Sequence, residues 1–342
     1  TNDDRVHKRL HDLILYTRHA ELYYGYAAGV ESLEAVARHD YRMRTTMMVH
    51  TYGLWSRMLS QQAALDPNHP WKDERPFTSD ELNKIVVDGI VKNIPAEPGF
   101  VGVEFSNKLA PATPLKLPSV PEGRFPDAPQ DHQRYYVWLP DTKESLDLRI
   151  AVKKRWLNRL PKATLYSPQE VSLNAVAVDE SYPVDDQFHD VKLKTPYSGL
   201  HRLETIDGGD YTRIEWPAGL PVTLESGIDT PGVTSHFRGS WTLYFYVPKG
   251  TKVVGGWASR IANWAPRISG KLVDPDGKTA LDFEQIEEGW FKVPVAEGQD
   301  AKLWKFENSQ GQRLLMTVPP YMARRAEELL LPAEVISADA QP

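Results

Sequence analysis

Glycoside cleavage needs two carboxylates roughly 5–10 Å apart, one of them with a raised pKa. The chain carries 46 acidic residues, so the first question is whether any stand where such roles could divide. The segment after Gly208 and Gly209 comes closest. Asp210, Arg213 and Glu215 lie on or beside one strand, and Arg213 and Glu215 share a face by parity. A cross-strand or i,i+2 ion pair accounts for the same residues without catalysis. His7 and His11 are an i,i+4 pair with Asp3 and Asp4 one turn earlier, a spacing that can hold a metal. The pattern lacks the glutamate of HExxH and has no third ligand, so a solvated helix face is the plainer reading. His50 falls on an apolar helix side near Met47 and Leu54, which suits a core or interface histidine before a substrate-facing one. Asp274-Pro275-Asp276-Gly277 could offer oxygens to calcium, yet the same residues suit a tight hairpin turn. Asp185, Asp186, His189 and Asp190 form a second acidic loop with the same weak calcium reading. No catalytic residue, no metal ligand and no cofactor is assigned.

The aromatic residues make a different kind of site. The chain has 10 tryptophans and 15 tyrosines. On 241–247, Trp241, Leu243, Phe245 and Val247 face one way and Tyr244 and Tyr246 the other, so that second face is either covered or a binding surface. Trp257, Trp264, Trp290 and Trp304 come from nearby loops and strands. Flat indoles stack on sugar rings, and Arg260, Asn263 and Arg267 can bond hydroxyls. The competing account is that the tryptophans fill the core. The candidate carbohydrate-binding set is Trp257, Trp264, Arg260, Asn263, Tyr244 and Tyr246, with Trp257 and Trp264 foremost because Gly255-Gly256 and Pro266 place them in irregular backbone.

The elements that must position these residues divide by period. Val6, Leu10, Leu13, Thr17, Ala20 and Tyr24 follow helical spacing over residues 3–28. A second helix is expected from Ser32 to Gln62, with a stripe of Val36, Met43, Met47, Leu54 and Met58, paired antiparallel with the first. Thr78-Ser79-Asp80-Glu81 opens a third, short helix to Lys92. Leu15, Leu22 and Tyr23 lie off the first helix's stripe, so something besides the second helix is expected to pack there. After Pro95 the period becomes two. Leu146, Leu148, Ile150 and Val152 alternate with polar residues, a half-buried strand, whereas 110–130 is Pro-rich and without period.

Two stretches repeat. RYYVWLPDTK at 134–143 and TLYFYVPKGTK at 242–252 are each an aromatic strand ending in Pro and a Thr-Lys turn. Pro168 follows Pro140, and Pro275 follows Pro248, at nearly equal spacing. The order predicts two copies of one β-rich unit.

Bulk properties limit the function classes. A 342-residue chain with 41% hydrophobic and 25% charged residues has room for two or three domains. A net charge of −6 gives no electrostatic case for nucleic acid. No apolar run reaches the roughly 18–20 residues that span a bilayer. Without cysteine there are no disulfides, thiolate nucleophiles or Cys-type zinc sites. No G-x-S-x-G elbow, P-loop or dinucleotide fingerprint occurs. The first residue is Thr, so the sequence is expected to begin inside a longer protein.

The order WTLYFYVPKGTK, GKLVDPDGK, GWFKVPVAEGQDAKLWKF and RLLMTVPPYMA resembles the C-terminal region of large bacterial glycoside-hydrolase-like proteins. The stretch LYTRHAELYYGYAAGVESLEAVARHDYRMRTTMMVHTYGLW is similar to the segment after the catalytic barrel in the same family, which is related to α-glucuronidases and hexosaminidases. The resemblance implies that the barrel and its carboxylates lie upstream of Thr1 and that this chain is the accessory half. The piece YFYVPKGT…DPDG also resembles secreted pre-peptidase-type β-sandwich modules.

The expected fold is α+β and multidomain: an N-terminal antiparallel helical hairpin plus short helix over 1–93, then two tandem antiparallel β-sandwich units over 94–230 and 231–332, and a frayed tail over 333–342. The expected function is the non-catalytic C-terminal portion of a secreted glycan-processing protein, extracellular or periplasmic, supporting a barrel through residues 3–62 and contacting polysaccharide or oligosaccharide. An extracellular structural or protein-interaction module is the alternative, and a self-sufficient glycosidase a further one.

Overall fold

In a computed structural model, the described residues are 6, 10, 13, 16, 17, 20 and 24, then 99–127, 129–155, 160–167, 175–226, 235–259, 267–286 and 289–340. The chain divides into two compact units. One is Thr1–Glu97 with 229–231 and 262–264; the other is Pro98–Ile228, Gly232–Ile261 and Ala265–Pro342.

Of the first unit, Val6, Leu10, Leu13, Tyr16, Thr17, Ala20 and Tyr24 are described, and all are helical. Leu10, Leu13 and Tyr24 are 52%, 59% and 69% exposed, so the stripe read as a packing face is open to solvent. The expected fold class is corrected here. The described residues are 47% strand and 11% helical, and no N-terminal helical hairpin is seen among them. The helices expected over 32–62 and 78–92 lie outside the described residues.

The second unit is built from nineteen described strands. β1 (Leu109–Pro111) pairs with β19 (Leu330–Pro332). β2 (Gln130–Leu139), β4 (Lys162–Tyr166), β5 (Ala175–Asp179), β7 (Gly199–Ile206), β9 (Val222–Glu225) and β18 (Tyr321–Met322) form one sheet in the order β18-β9-β2-β7-β4-β5, with β10 (Ser235–His236) also on β2. β3 (Ser145–Lys153) lies between β6 (His189–Lys194) and β8 (Tyr211–Glu215). β11 (Trp241–Val247), β16 (Lys302–Gln310), β13 (Ser269–Val273) and β14 (Thr279–Asp282) form a third sheet in that order. β12 (Val253–Ser259) lies between β15 (Gly289–Pro294) and β17 (Gln312–Leu315).

Numbered this way, the repeat read in the sequence becomes a repeat of topology. Each strand from β2 to β9 has its counterpart nine places later. β3 pairs β6 and β8 as β12 pairs β15 and β17; β4 pairs β5 and β7 as β13 pairs β14 and β16. The aromatic strands β2 and β11 both end in Pro turns, closed by Lys143 N–H to Pro140 O (3.0 Å) and Thr251 N–H to Pro248 O (3.1 Å). Each turn hands the chain to the facing sheet.

The two halves are joined about an approximate twofold axis. β9 lies beside β2, with Thr223 opposite Tyr136. Likewise Ala323, just past β18, lies opposite Tyr244 of β11. β9 and β18 pair antiparallel with each other, Tyr321 opposite Glu225 and Met322 opposite Leu224. The seven-stranded sheet of β18-β9-β2-β7-β4-β5 is thus linked to the sheet of β11 by the one Tyr244–Ala323 bridge. The arms before each aromatic strand are also exchanged: β10 pairs with β2, and Arg124 pairs with Thr242 of β11.

Period-two patterning explains the interior. Leu146, Leu148, Ile150 and Val152 of β3, Tyr135, Val137 and Leu139 of β2, and Leu243, Phe245 and Val247 of β11 all join one apolar cluster with Trp304, Phe306 and Phe283. Each such side chain contributes about 1.5–3 kcal/mol by burial. Strands on both sides of the expected boundary at 230/231 thus share pairing and core.

Two sequence expectations change. Residues after Pro332, read as a frayed tail, include helix α1 (Ala333–Asp339), whose Val335 and Ile336 are buried. The segment 100–105, where the period-two pattern expected after Pro95 begins, forms no strand.

Gly256 marks the tightest strand approach. A Cβ there would lie 1.9 Å from the Leu314 carbonyl oxygen, whereas one at Gly277 (φ +82°) meets nothing within 4 Å. Denaturant titration should show Gly256→Ala losing about 3 kcal/mol or more through overpacking. Gly277→Ala should lose only about 1 kcal/mol, from its left-handed backbone.

Candidate functional site

Val254 and Ala258 of β12 face the core, so Gly255 and Trp257 face outward. Trp257 stands directly opposite Trp290 of β15 and Leu314 of β17. The two indoles meet edge to face, centroids 4.9 Å apart and planes at 85°, and both are half-buried. Phe100 completes the group, 5.9 Å from Trp290 at 80°. Trp257 is thus on an outer sheet face within an aromatic cluster.

The rest of the predicted sugar set divides. Tyr244 and Tyr246 are covered: they are 7% and 1% exposed and pack with Leu331, Val335 and Ile336 beneath α1. The Tyr246 hydroxyl donates to Asp339 Oδ2 at 2.9 Å, and burial followed by this carboxylate pushes the phenol pKa up. Their buried positions correct the reading of that face as a binding surface. Trp304 is core, its Nε1 donating to Gln299 O at 2.9 Å. Arg260, Asn263 and Trp264 lie outside the described residues, as do His7, His11 and His50.

The acidic candidates resolve into turns and ion pairs. Asp210 is fully buried, and its Oδ1 accepts from the Arg155 N–H at 2.6 Å. Arg213 does not bond Glu215; it donates to Asp186 Oδ1 at 2.5 Å, while Glu215 pairs at 2.6 Å with Arg149, directly opposite on β3. Asp274 Oδ1 accepts from the Asp276 and Lys278 N–H groups, and its Oδ2 from Gln299 Nε2 at 2.7 Å, which is turn chemistry. His189 sits 2.9 Å from Asp185, and Asp190 3.6 Å from Arg149. Among the described residues no group of three His, Asp or Glu side chains is placed to hold a metal ion.

Sequence reasoning missed a charged cluster on the outer face of the largest sheet. Glu204 of β7 stands directly opposite Arg134 of β2, and Glu225 of β9, the strand on the other side of β2, reaches the same arginine. Arg134 Nε donates to Glu204 Oε1 at 3.0 Å, and Nη1 to Glu225 Oε2 at 3.2 Å. Glu204 also meets His132 Nε2 at 2.9 Å and Arg202 Nε at 3.0 Å, and Arg202 stacks 4.5 Å above the Tyr166 ring. These side chains are only 8–15% exposed. Burial alone would raise the Glu204 pKa; the His132 hydrogen bond and the two guanidinium groups outweigh it and hold it at about 2. Glu225 moves up, because burial outweighs its single bonded arginine. The only signal in the sequence is an i,i+2 alternation of His132, Arg134 and Tyr136 and of Arg202 and Glu204. Its meaning depends on strand register, which no local pattern supplies.

Two acids with divided pKa values is the pattern of an acid–base pair. Here both are bonded to one guanidinium, which fixes them in place. The cluster therefore clamps three strands together.

No family model matches the chain, no curated protein matches it, and no solved structure matches its fold. The family resemblance stands on the quoted segments alone.

Removing Arg134 leaves two buried carboxylates facing each other. Arg134→Ala should cost about 3–5 kcal/mol at pH 7, measured by denaturant unfolding. Glu204 has a folded-state pKa below its ordinary 4.5, so its contribution is complete above that pH and falls away toward pH 2. The penalty of the substitution should accordingly be constant above about pH 4.5 and shrink as the pH falls from there toward 2.

Proposed function

We propose that this chain is a non-catalytic, carbohydrate-contacting support module of a glycan-processing protein of the glycoside-hydrolase-like type, exported to the periplasm or cell exterior. The observation that carries this reading is the half-buried Trp257–Trp290 pair on an outer face of a duplicated sandwich. An indole edge and face is a surface that receives the apolar side of a sugar ring. The accessory role is supported by the Arg134 clamp, which holds the two best-placed acids rigid where a general acid needs a transferable proton.

A second reading, a protein-interaction module, is favoured by one observation: the exposed apolar stripe of Leu10, Leu13 and Tyr24. Among the described residues no helix is long and apolar enough to cross a membrane.

A glycan array followed by calorimetry tests the first reading. The chain should bind at least one polysaccharide class, Trp257→Ala should weaken binding at least tenfold, and no aryl glycoside should be turned over. A stable complex with a second protein through residues 3–62, without glycan binding, would favour the other.

A further inference from the structure

The outer face of β15-β12-β17 holds a slot, and its occupant is the chain's own Phe100. Gly255 is the floor: a Cβ there would lie 2.8 Å from the Phe100 ring. The slot therefore exists only because residue 255 has no side chain. Trp290 forms a wall, 5.9 Å from the Phe100 centroid at 80°, and Trp257 stands next to it at 4.9 Å. A six-membered ring thus lies on bare backbone beside the Trp290 indole, the surroundings in which a pyranose binds.

The segment carrying Phe100 is tied at its far end, where Phe105 packs against the cluster around Tyr244 and Tyr246. Between Gly99 and Phe105, the backbone bond to the sheet among the described residues is Val103 N–H to Met316 O at 2.8 Å. Val101 and Val103 are 74% and 47% exposed, an apolar pair turned to solvent. Firm anchorage starts at Ser106, whose N–H and hydroxyl donate to Glu334 at 2.9 and 2.7 Å, and whose carbonyl accepts from the Tyr321 hydroxyl at 3.3 Å. Withdrawing Phe100 therefore breaks the Val103–Met316 bond and leaves the Ser106 contacts in place.

The geometry points to Phe100 as an internal surrogate ligand: it fills the ring slot of the carbohydrate site, and a pyranose of an oligosaccharide binds by displacing segment 99–105. This rests on the carbohydrate reading of Trp257. The apparent affinity of the chain is then its intrinsic affinity reduced by the fraction of molecules with Phe100 withdrawn.

The test is calorimetric titration of the full chain with soluble cello-, xylo-, manno- and chito-hexaose, beside acrylamide quenching of tryptophan fluorescence. Phe100→Ala should bind its preferred hexasaccharide at least tenfold more tightly than the unsubstituted chain, and its tryptophans should quench more readily. Phe100→Leu, which keeps an apolar side chain but no flat ring, should move both readouts in the same direction by less, and it serves if the alanine variant fails to fold. Equal affinity of the unsubstituted chain and Phe100→Ala, both lost on Trp257→Ala, would overturn the surrogate and leave the carbohydrate reading standing. No binding by any variant, with the fold intact by circular dichroism, would overturn both.

Discussion

The antiparallel pairing of β9 with β18 is the constraint on which the second unit depends. It lies on the approximate twofold axis and, with the single Tyr244–Ala323 bridge, links the seven-stranded sheet to the four-stranded one. Without it, each copy would end in an open edge at β9 or β18, with unpaired N–H and C=O groups beside an apolar core. Across the axis, Tyr321 of one copy is paired with Glu225 of the other, and Glu225 is in turn held by Arg134. Strand pairing, core and charge clamp therefore meet at the same few residues.

The copies have diverged where chemistry would reside. Tyr136 of β2 and Tyr244 of β11 are equivalent, opposite Arg202 and Lys305 respectively. Arg202 is bound to Glu204 as Lys305 is to Glu307, so a basic–acidic pair recurs at one address. In the first copy that pair is buried and extended by Arg134, His132 and Glu225. In the second, Thr242 takes the place of Arg134, and the Lys305–Glu307 pair stays more exposed. The aromatic cluster belongs to the second copy, at Trp257 and Trp290. One copy carries the reinforced joint and the other the candidate ligand surface.

How much of this the sequence discloses depends on the range of each signal. Local alternation in Leu146, Leu148, Ile150 and Val152 reads directly as β3, because one buried face imposes period two. The Pro-turn repeat reads as duplication, because Pro140 and Pro248 close equivalent turns. The axis does not read, since the β9–β18 and β10–β2 contacts join residues about a hundred positions apart without any shared motif. The Arg134 cluster is hidden for the same reason. The aromatic set is split because parity gives Tyr244 and Tyr246 a face but cannot say that α1 covers it; that helix follows a Pro and has only a short apolar pair, Val335 and Ile336. The charged turn at Asp274 was legible as a turn, since Pro and Gly fix its backbone whatever its carboxylates bind.

The exchanged arms have a mechanical consequence. β10 leaves the first copy's last strand and still pairs with β2, while Arg124, ahead of β2, reaches over to β11. A protease nick between Ser226 and Ser235 would cut the only covalent joint between the copies, yet each fragment would still grip the other's leading strand. The halves are interlocked like clasped hands, and severing the peptide would not set either one loose.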